Sequence, residues 1–228
     1  GDNPARWRGH LDNLLPRASK VHKVKHFEAM PYAELPAFFA DLSKRDTVSA
    51  KALAFTILTA ARSGDTRHAT LGEVDFKSAV WMVPEGRTKS GREHRVPLTK
   101  EALAILRGLK HLRQDPATLL FPNSQDKPLS DTAMRKYLKE DLKQEGLTVH
   151  GFRSTFRDWA AERATTFPRE IIEAALSHVV KDKTEAAYLR SDVLERRRKL
   201  LEAWAKFCTS GAASGPKVVP LRKAAAAR

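Results

Sequence analysis

Seven polar side chains of this chain have residue types that suit the breaking and rejoining of a phosphodiester. Two fixed arginines can hold the non-bridging oxygens of a phosphate through paired N–H bonds and stabilise the charge that grows at a five-coordinate phosphorus. Histidines can donate a further hydrogen bond and exchange protons near neutral pH. A tyrosine hydroxyl, with a reference pKa of about 10, becomes a nucleophile only beside a base or a field of positive charge. The seven residues are Arg62, Asp65, Lys89, His150, Arg153, His178 and Tyr188.

Each of these residues, taken alone, also has an ordinary structural explanation. An arginine at a helix end usually faces solvent or compensates the helix dipole, and a lysine in a turn is commonly only a solvent-exposed charge. His150 and Arg153 lie three residues apart on one helix face, as many surface pairs do. Tyr188, within the stretch EAAYLRSD, is either a packing residue or a nucleophile. The chemical interpretation therefore depends on the seven residues acting together.

The stretch SAVWMVPEGRTKSGREHRVPLT predicts a β-hairpin with an exposed tip. Two extended runs, Val80–Val83 and His94–Pro97, flank a basic segment rich in turn residues. Lys89 lies at the predicted tip. A lysine on a mobile tip can deliver a proton to the departing 5′ oxygen.

The apolar spacing predicts that the rest of the chain is mainly α-helical. A helix with an apolar face from Leu35 to Leu42 precedes a second helix, which Gly64 is expected to end while Asp65 caps the next. This arrangement leaves Arg62 just beyond a helix end. Thr99 is expected to cap a helix directly after the hairpin, and the predicted helix starts in the second half are Ser130 or Asp131, His150, Pro168 and Ser191.

Composition favours an anionic partner. The 228 residues carry a formal net charge of +14, and nucleic acid is the commonest polyanion that such a surface binds. The single cysteine, Cys208, excludes an internal disulfide or a cysteine-based zinc cluster and fits a reducing cytoplasm. No apolar run is long enough to span a bilayer, and the N-terminus lacks a signal-peptide core. Composition thus favours a cytoplasmic protein that binds nucleic acid rather than a membrane, and the residues show no need for a metal or cofactor.

Four stretches, spread over about residues 30 to 207, recur in the order and spacing of a known family. They are ILTAARSGDTRHATLGEVDF, RTKSGREHRVPLT, HGFRSTFRDWA and ALSHVVKDKTEAAYLRSD. With these motifs the chain resembles the catalytic domain of the tyrosine recombinases, specifically the integrases of phages and genomic islands. The resemblance implies the catalytic-domain fold of that family, mainly α-helical with a small antiparallel sheet. Double-stranded DNA as the partner follows only from this family resemblance.

The resemblance also implies roles for the residues that handle the phosphate. Arg62 and Arg153 correspond to the clamping arginines, and Lys89 corresponds to the general acid for the leaving 5′ hydroxyl. Tyr188 corresponds to the nucleophile, which forms a 3′-phosphotyrosyl link. Arg67 lies close enough in sequence to compete for the clamp, although its position matches the family pattern less well.

Three further roles follow from the same resemblance. His150 is expected to manage the proton of the nucleophile, and His178 to add a hydrogen bond to the scissile phosphate. Asp65 is expected to orient the site rather than to take part in the chemistry. One departure concerns a turn glycine that the family commonly has shortly before the first arginine, where this chain has Ala60 and Ala61.

The expected organisation has three parts. Residues 1–28, which begin with Gly1 rather than Met, are expected to be a linker from a missing N-terminal core-binding domain, and residues 29–207 the catalytic domain. Residues 208–228 are expected to be a flexible tail, passed to a neighbouring protomer through KVVPLR.

The expected function is site-specific integration or excision of a mobile element at attachment-site DNA, by several protomers that form a tetramer on DNA. Two alternatives remain open. One is a nicking and closing enzyme of the type IB topoisomerase kind, which uses the same constellation without exchanging strands. The other is a catalytically silent basic module that binds DNA and forms no covalent adduct.

Overall fold

The computed structural model describes residues 28–88, 91–109, 115–178 and 193–211, together with Asn3, Arg6 and Leu11. Within these residues, helices pack around one another and against a small antiparallel sheet, as the sequence predicted. None of the described helices is long and apolar enough to cross a membrane. The helices are α1 (Leu35–Ser43), α2 (Val48–Thr59), α3 (Ser63–Arg67), α4 (Lys100–Arg107), α5 (Ala133–Glu140), α6 (Gly151–Arg163), α7 (Arg169–Ala175) and α8 (Leu194–Cys208).

The sheet contains three strands in the order β1 (Val74–Asp75), β2 (Val80–Val83) and β3 (His94–Pro97). Strands β2 and β3 form the predicted hairpin with the predicted bounds. The sequence pattern missed β1, because a two-residue strand is too short to show alternation. The short 3-10 helices are Tyr32–Glu34, Leu71–Glu73 and Glu85–Arg87.

Helix α2 forms the centre of the core. Its residues from Ala52 to Thr59 are all buried, and it packs against α1, α4, α5 and α8. A helix that is apolar on every side is stable only when neighbours surround it, which is the situation of α2. The C-terminal end of α2 is therefore held firmly in the core, and this fixes the start of the segment that leads to Arg62.

Aromatic side chains join α8 to α2 and α6. Trp204 of α8 donates its indole N–H to the carbonyl of Ile57 at 2.8 Å. Trp204 also lies with its ring centroid 5.3 Å from that of Phe156 and 5.0 Å from that of Trp159, within the range of favourable aromatic pairs. These contacts fix the helix that follows the Tyr188 segment against the helix that carries Arg153.

The end of α2 differs from the expectation. The helix stops at Thr59, where Ala60 adopts the left-handed conformation with φ 50° and ψ 25°. Gly64 and Asp65 lie inside the short helix α3, so Gly64 does not end α2 and Asp65 is not an N-cap. Ala60 is buried, and tertiary packing holds it in a conformation that local preference would give to glycine.

Other helix starts shift by a few residues from the expectation. Helix α5 begins at Ala133 after Thr132, and Pro168 is the N-cap of α7 rather than part of its first turn. Helix α8 begins at Leu194, while Ser191 lies outside the described residues. Thr99 caps α4 as predicted, because its side chain accepts the N–H of Ala102.

Candidate active site

A cleft of about 620 Å³ brings together three of the predicted site residues, Arg62, Asp65 and His150. The remaining positions in its wall come from α3 and from the base of the hairpin. Thr88, which directly precedes Lys89 in the sequence, is one of them. Lys89 and Tyr188 themselves lie outside the described residues. The full lining is Arg62, Ser63, Gly64, Asp65, Arg67, His68, Arg87, Thr88 and His150.

The C-terminal end of α7 holds both predicted clamp arginines. Arg153 donates from Nη2 to the carbonyl of Leu176 at 2.6 Å, and Arg62 donates from Nη2 to the carbonyl of Ser177 at 3.1 Å. The last carbonyls of a helix lack intrahelical donors and carry the negative end of its dipole, so they attract cations. Two successive peptide groups thus place two guanidinium groups side by side.

Arg153 is almost completely enclosed, with 5% of its surface exposed. Its Nη1 atom donates to the carbonyl of Ala60, and Nη2 also lies 3.3 Å from His178 Nε2. Burial, together with the charge of Arg62, lowers the pKa of Arg153 to about 10, so the guanidinium stays charged at neutral pH. Its two carbonyl acceptors are neutral, while the nearby charges of Asp65 and Glu173 oppose the lowering of its pKa.

Arg67 does not share this arrangement. Its Nη1 atom donates to the carbonyl of Leu129 at 2.8 Å, although the residue also lines the cleft. The carbonyl pair at the end of α7 therefore brings Arg62, and not Arg67, next to Arg153.

Asp65 is buried close to the arginines, with 6% of its surface exposed. Burial raises the pKa of this carboxyl, and the nearby charges of Arg62, Arg87 and Arg153 oppose that rise. The carboxylate also accepts the backbone N–H of Arg62, as the acidic residue of a capping box does. This geometry fixes the backbone at the start of α3 and suits an orienting role.

The hairpin base is tied to the same region. Arg87 donates to the carbonyl of His68 and pairs with Glu73 at 2.5 Å, and Glu73 also accepts the indole N–H of Trp81. The hydroxyl of Thr88 donates to the carbonyl of Arg92 at 2.6 Å and accepts the N–H of that residue. The two arms of the hairpin are thus joined at the point where the chain enters the Lys89 segment.

His178 follows α7 and has 41% of its side chain exposed. Its Nδ1 atom lies 2.6 Å from Glu173 Oε2, and its Nε2 atom faces Arg153. The structure thus brings His178 into contact with one predicted clamp arginine, while His150 lines the cleft as the exposed N-cap of α6.

Sequence reasoning missed His94 and Glu173 as members of this cluster. His94 begins β3, where its alternation with Val96 indicated only a strand residue. Glu173 lies five positions before His178, which is beyond the helix end, so the usual i to i+4 spacing gave no signal. Both depend on contacts between elements distant in sequence.

His94 is half-buried beside three positive charges. Burial lowers its pKa to about 3, and Arg197, Arg62 and Arg153 lower it further in the same direction, while its hydrogen bond to the backbone of Ala175 opposes them. The neutral imidazole thus contacts the end of α7 at Ala175, next to the Leu176 carbonyl that accepts from Arg153.

This burial predicts a pH dependence of stability. Because the folded pKa is below the ordinary value of about 6.5, the unfolded chain takes up the proton first, and stability is lost as pH falls from about 6.5 towards about 3. The upper limit of the loss is about 1.4 kcal/mol per pH unit. Urea unfolding at several pH values between about 7 and about 5 is expected to show a shallower decline for His94→Gln than for the wild type. Parallel curves for the two proteins would contradict the lowered pKa of His94 in the folded chain.

The left-handed Ala60 predicts a contrast with its neighbour Ala61. Both methyl groups are buried, so replacement by glycine removes similar packing at the two positions. Only Ala60 has a positive φ, where an L-residue costs roughly 1–2 kcal/mol that glycine avoids. The free energy of unfolding of Ala60→Gly is therefore expected to exceed that of Ala61→Gly by about 1 kcal/mol. Equal values in urea unfolding would show that position 60 carries no such cost.

Comparison with known proteins agrees with this geometry. The phage integrase family matches residues 28–195. A prophage integrase, IntA of Escherichia coli K12, is 36% identical over 151 residues, covering 65% of this chain and 36% of the relative. The integrase of Enterobacteria phage P4 is 32% identical over 210 residues, covering 83% of this chain and 47% of the relative. The chain thus spans between about a third and a half of these two relatives.

Among solved structures, a lambda integrase tetramer bound to a Holliday junction aligns with a TM-score of 0.52. The alignment covers 71% of this chain and 50% of that chain at 16% identity, so it shows the fold alone. Together with the match over residues 28–195, the fold and the four motifs lead to one conclusion: the chain belongs to the phage integrase family.

Proposed function

We propose that this chain is the catalytic part of a site-specific DNA recombinase, an integrase that cleaves and rejoins strands through a 3′-phosphotyrosyl link. The observation that carries the proposal is the pairing of Arg62 and Arg153 on successive carbonyls at the end of α7. Two neighbouring guanidinium groups suit the non-bridging oxygens of one phosphate, and their charge stabilises the five-coordinate transition state. The net charge of +14 supplies the attraction for the rest of the duplex.

In the first half of the proposed reaction, the oxygen of Tyr188 attacks the scissile phosphorus. His150 takes the proton of the tyrosine hydroxyl, while Arg62 and Arg153 hold the phosphate. The bond between phosphorus and the 5′ oxygen breaks as the bond to Tyr188 forms, and Lys89 protonates the departing 5′ oxygen. One phosphoester bond is exchanged for another, so the energy stays in the protein–DNA link.

In the second half, a 5′ hydroxyl of another strand attacks the phosphotyrosine and releases Tyr188. The proton transfers run in reverse, and the number of phosphoester bonds is again unchanged. Rejoining therefore needs no ATP. In this scheme His178 adds a hydrogen bond to the phosphate, and Asp65 keeps the backbone of Arg62 in place.

Exchange between two duplexes requires several protomers, and we propose that the chain acts as a tetramer on double-stranded attachment-site DNA in the cytoplasm. The similarity of its fold to a lambda integrase tetramer bound to a Holliday junction supports this assembly. We also propose that residues 1–28 link to an N-terminal core-binding domain, that residues 29–207 form the catalytic domain, and that residues 208–228 are passed to a neighbour. A protein truncated after residue 207 is then expected to assemble less well on DNA.

The experiment that tests the proposal uses a pool of nicked duplexes with randomised sequence, in which the short strand beyond the cut diffuses away. Cleavage then traps the covalent intermediate. An SDS-resistant protein–DNA adduct that forms with EDTA present supports the proposal, and sequencing of the trapped DNA identifies the preferred site. Salt-dependent binding without an adduct would favour the silent DNA-binding module.

Circular substrates that carry the identified site separate the two enzymatic alternatives. A recombinase yields exchanged strands between two sites, because the cut end joins a second duplex. Relaxed circles without exchanged strands would favour the nicking and closing enzyme.

A further inference from the structure

Glu173 holds His178 from the side opposite the clamp arginines. The distance from His178 Nδ1 to Glu173 Oε2 is 2.6 Å, which is short for a hydrogen bond and typical of a charge-assisted one. The other oxygen of the same carboxylate, Oε1, lies 2.9 Å from Nη2 of Arg157. The Glu173 side chain is only 15% exposed, and both of its carboxylate oxygens have a partner.

These contacts determine which ring nitrogen carries the proton. Because a carboxylate only accepts, His178 donates its Nδ1–H to Glu173. His178 Nε2 lies 3.3 Å from Arg153 Nη2, and a guanidinium only donates, so Nε2 presents its lone pair to Arg153. The ring is therefore held with Nε2 directed at the guanidinium that binds phosphate in the proposed function.

We propose that Glu173 is a positioning residue for DNA cleavage, which acts by fixing the tautomer and the orientation of His178. The inference rests on the proposed function. With Nδ1 committed to Glu173, Nε2 is the ring atom left to meet an incoming phosphate beside Arg153. Nε2 donates to that phosphate only when the ring is doubly protonated, and the Glu173 carboxylate is then the counter-charge.

The surroundings indicate that stability alone does not explain this contact. His178 is partly exposed and lies beyond the end of α7, and exposed ion pairs contribute little to folding. Arg157 fixes Glu173 from α6, the same helix that positions Arg153. Among the described residues, Glu173 and Arg153 contact the ring directly, Arg157 pairs with the Glu173 carboxylate, and the charges of Arg62 and Asp65 act on Arg153.

The first test reads the tautomer directly. Histidine side-chain ¹⁵N spectra of the DNA-free chain, recorded where the imidazoles are neutral, are expected to show the Nδ1–H tautomer for His178. Glu173→Ala is expected to lose this preference, whereas Glu173→Gln keeps an oxygen acceptor at the same place and is expected to retain it. Glu170→Ala, which removes an acidic residue from the same helix, is the matched control and is expected to leave the His178 signals unchanged.

The second test measures the rate of adduct formation on the randomised nicked duplexes. Glu173→Ala is expected to be slower by about tenfold or more, the scale seen when the hydrogen-bonded partner of a metal-bound histidine is removed. Glu173→Gln is expected to lie closer to the wild type, and Glu170→Ala to equal it. Thermal melting of each variant shows that the fold is kept.

Two results would overturn the inference: an unchanged His178 tautomer in Glu173→Ala, or a changed tautomer with an unchanged rate of adduct formation. Failure of the proposed function has a different signature, because the wild type itself then forms no adduct. In that case the tautomer measurement still decides whether Glu173 orients His178. The role of Glu173 in DNA cleavage is then refuted together with the proposed function.

Discussion

Tyr188→Phe is expected to abolish the covalent protein–DNA adduct completely while DNA binding persists. The substitution removes one oxygen, the atom that bonds to phosphorus in the proposed reaction, and leaves the ring and the net charge of the chain intact. The effect is the largest that we predict, because the missing hydroxyl oxygen is itself the atom that bonds to phosphorus in the proposed reaction.

The chain offers two matched controls for this substitution, since it contains three tyrosines. Tyr137 is buried in α5, and the hydroxyl of Tyr32 donates to Glu162 at 2.7 Å. Tyr32→Phe and Tyr137→Phe are expected to form the adduct at rates near that of the wild type. Adduct formation by Tyr188→Phe, or its loss in either control while DNA binding is kept, would show that another residue is the nucleophile.

Arg153→Lys is expected to lower the rate of adduct formation by at least about a thousandfold, the scale of losing a clamping arginine in phosphoryl transfer. Arg153 reaches the carbonyls of Ala60 and Leu176 with two different nitrogens. A lysine has one nitrogen and cannot match both acceptors and a phosphate in the same plane. The substitution therefore removes the geometry of the clamp even where it keeps a basic residue.

Arg153→Lys is also expected to reduce the positive charge at position 153. Burial and the charge of Arg62 already lower the pKa of Arg153 to about 10. A lysine at the same place starts from a reference pKa of about 10.4, so the same environment leaves it less fully charged at neutral pH. Single-turnover adduct formation and thermal melting, measured together, separate loss of the clamp from loss of the fold.

Arg163→Lys is the matched control, because Arg163 is exposed in the last turn of the same helix, α6. We expect it to leave both the rate and the melting temperature unchanged. A rate for Arg153→Lys within about tenfold of the wild type would contradict the assignment of Arg153 to the phosphate clamp.

The local part of this fold was predictable from sequence because its signals are short-range. The β2–β3 hairpin shows a turn-rich basic segment between two extended runs, and the structure has the same strand bounds. Thr99 was predicted as a cap because a threonine precedes the apolar face of a helix, and its side chain accepts the N–H of Ala102. Such features depend on residues within a few positions of one another.

The features that sequence could not give depend on contacts across the chain. Ala60 is left-handed because the surrounding core fixes the end of α2, against the local preference that pointed to Gly64. The motifs identified Arg62 and Arg153, yet nothing in their spacing indicated that two successive carbonyls at the end of α7 hold them. The contributions of His94 and Glu173 are likewise visible only once β3, α6 and α7 are packed together.

The most direct test of the proposed chemistry is the identity of the bond between protein and DNA. The wild-type adduct, trapped on the nicked duplexes, is digested with nuclease and protease, and the modified peptide is sequenced by mass spectrometry. We predict a nucleotide joined through its 3′ phosphate to the peptide TEAAYLR, at Tyr188. A link to any other residue, or a link through a 5′ phosphate, would contradict the account.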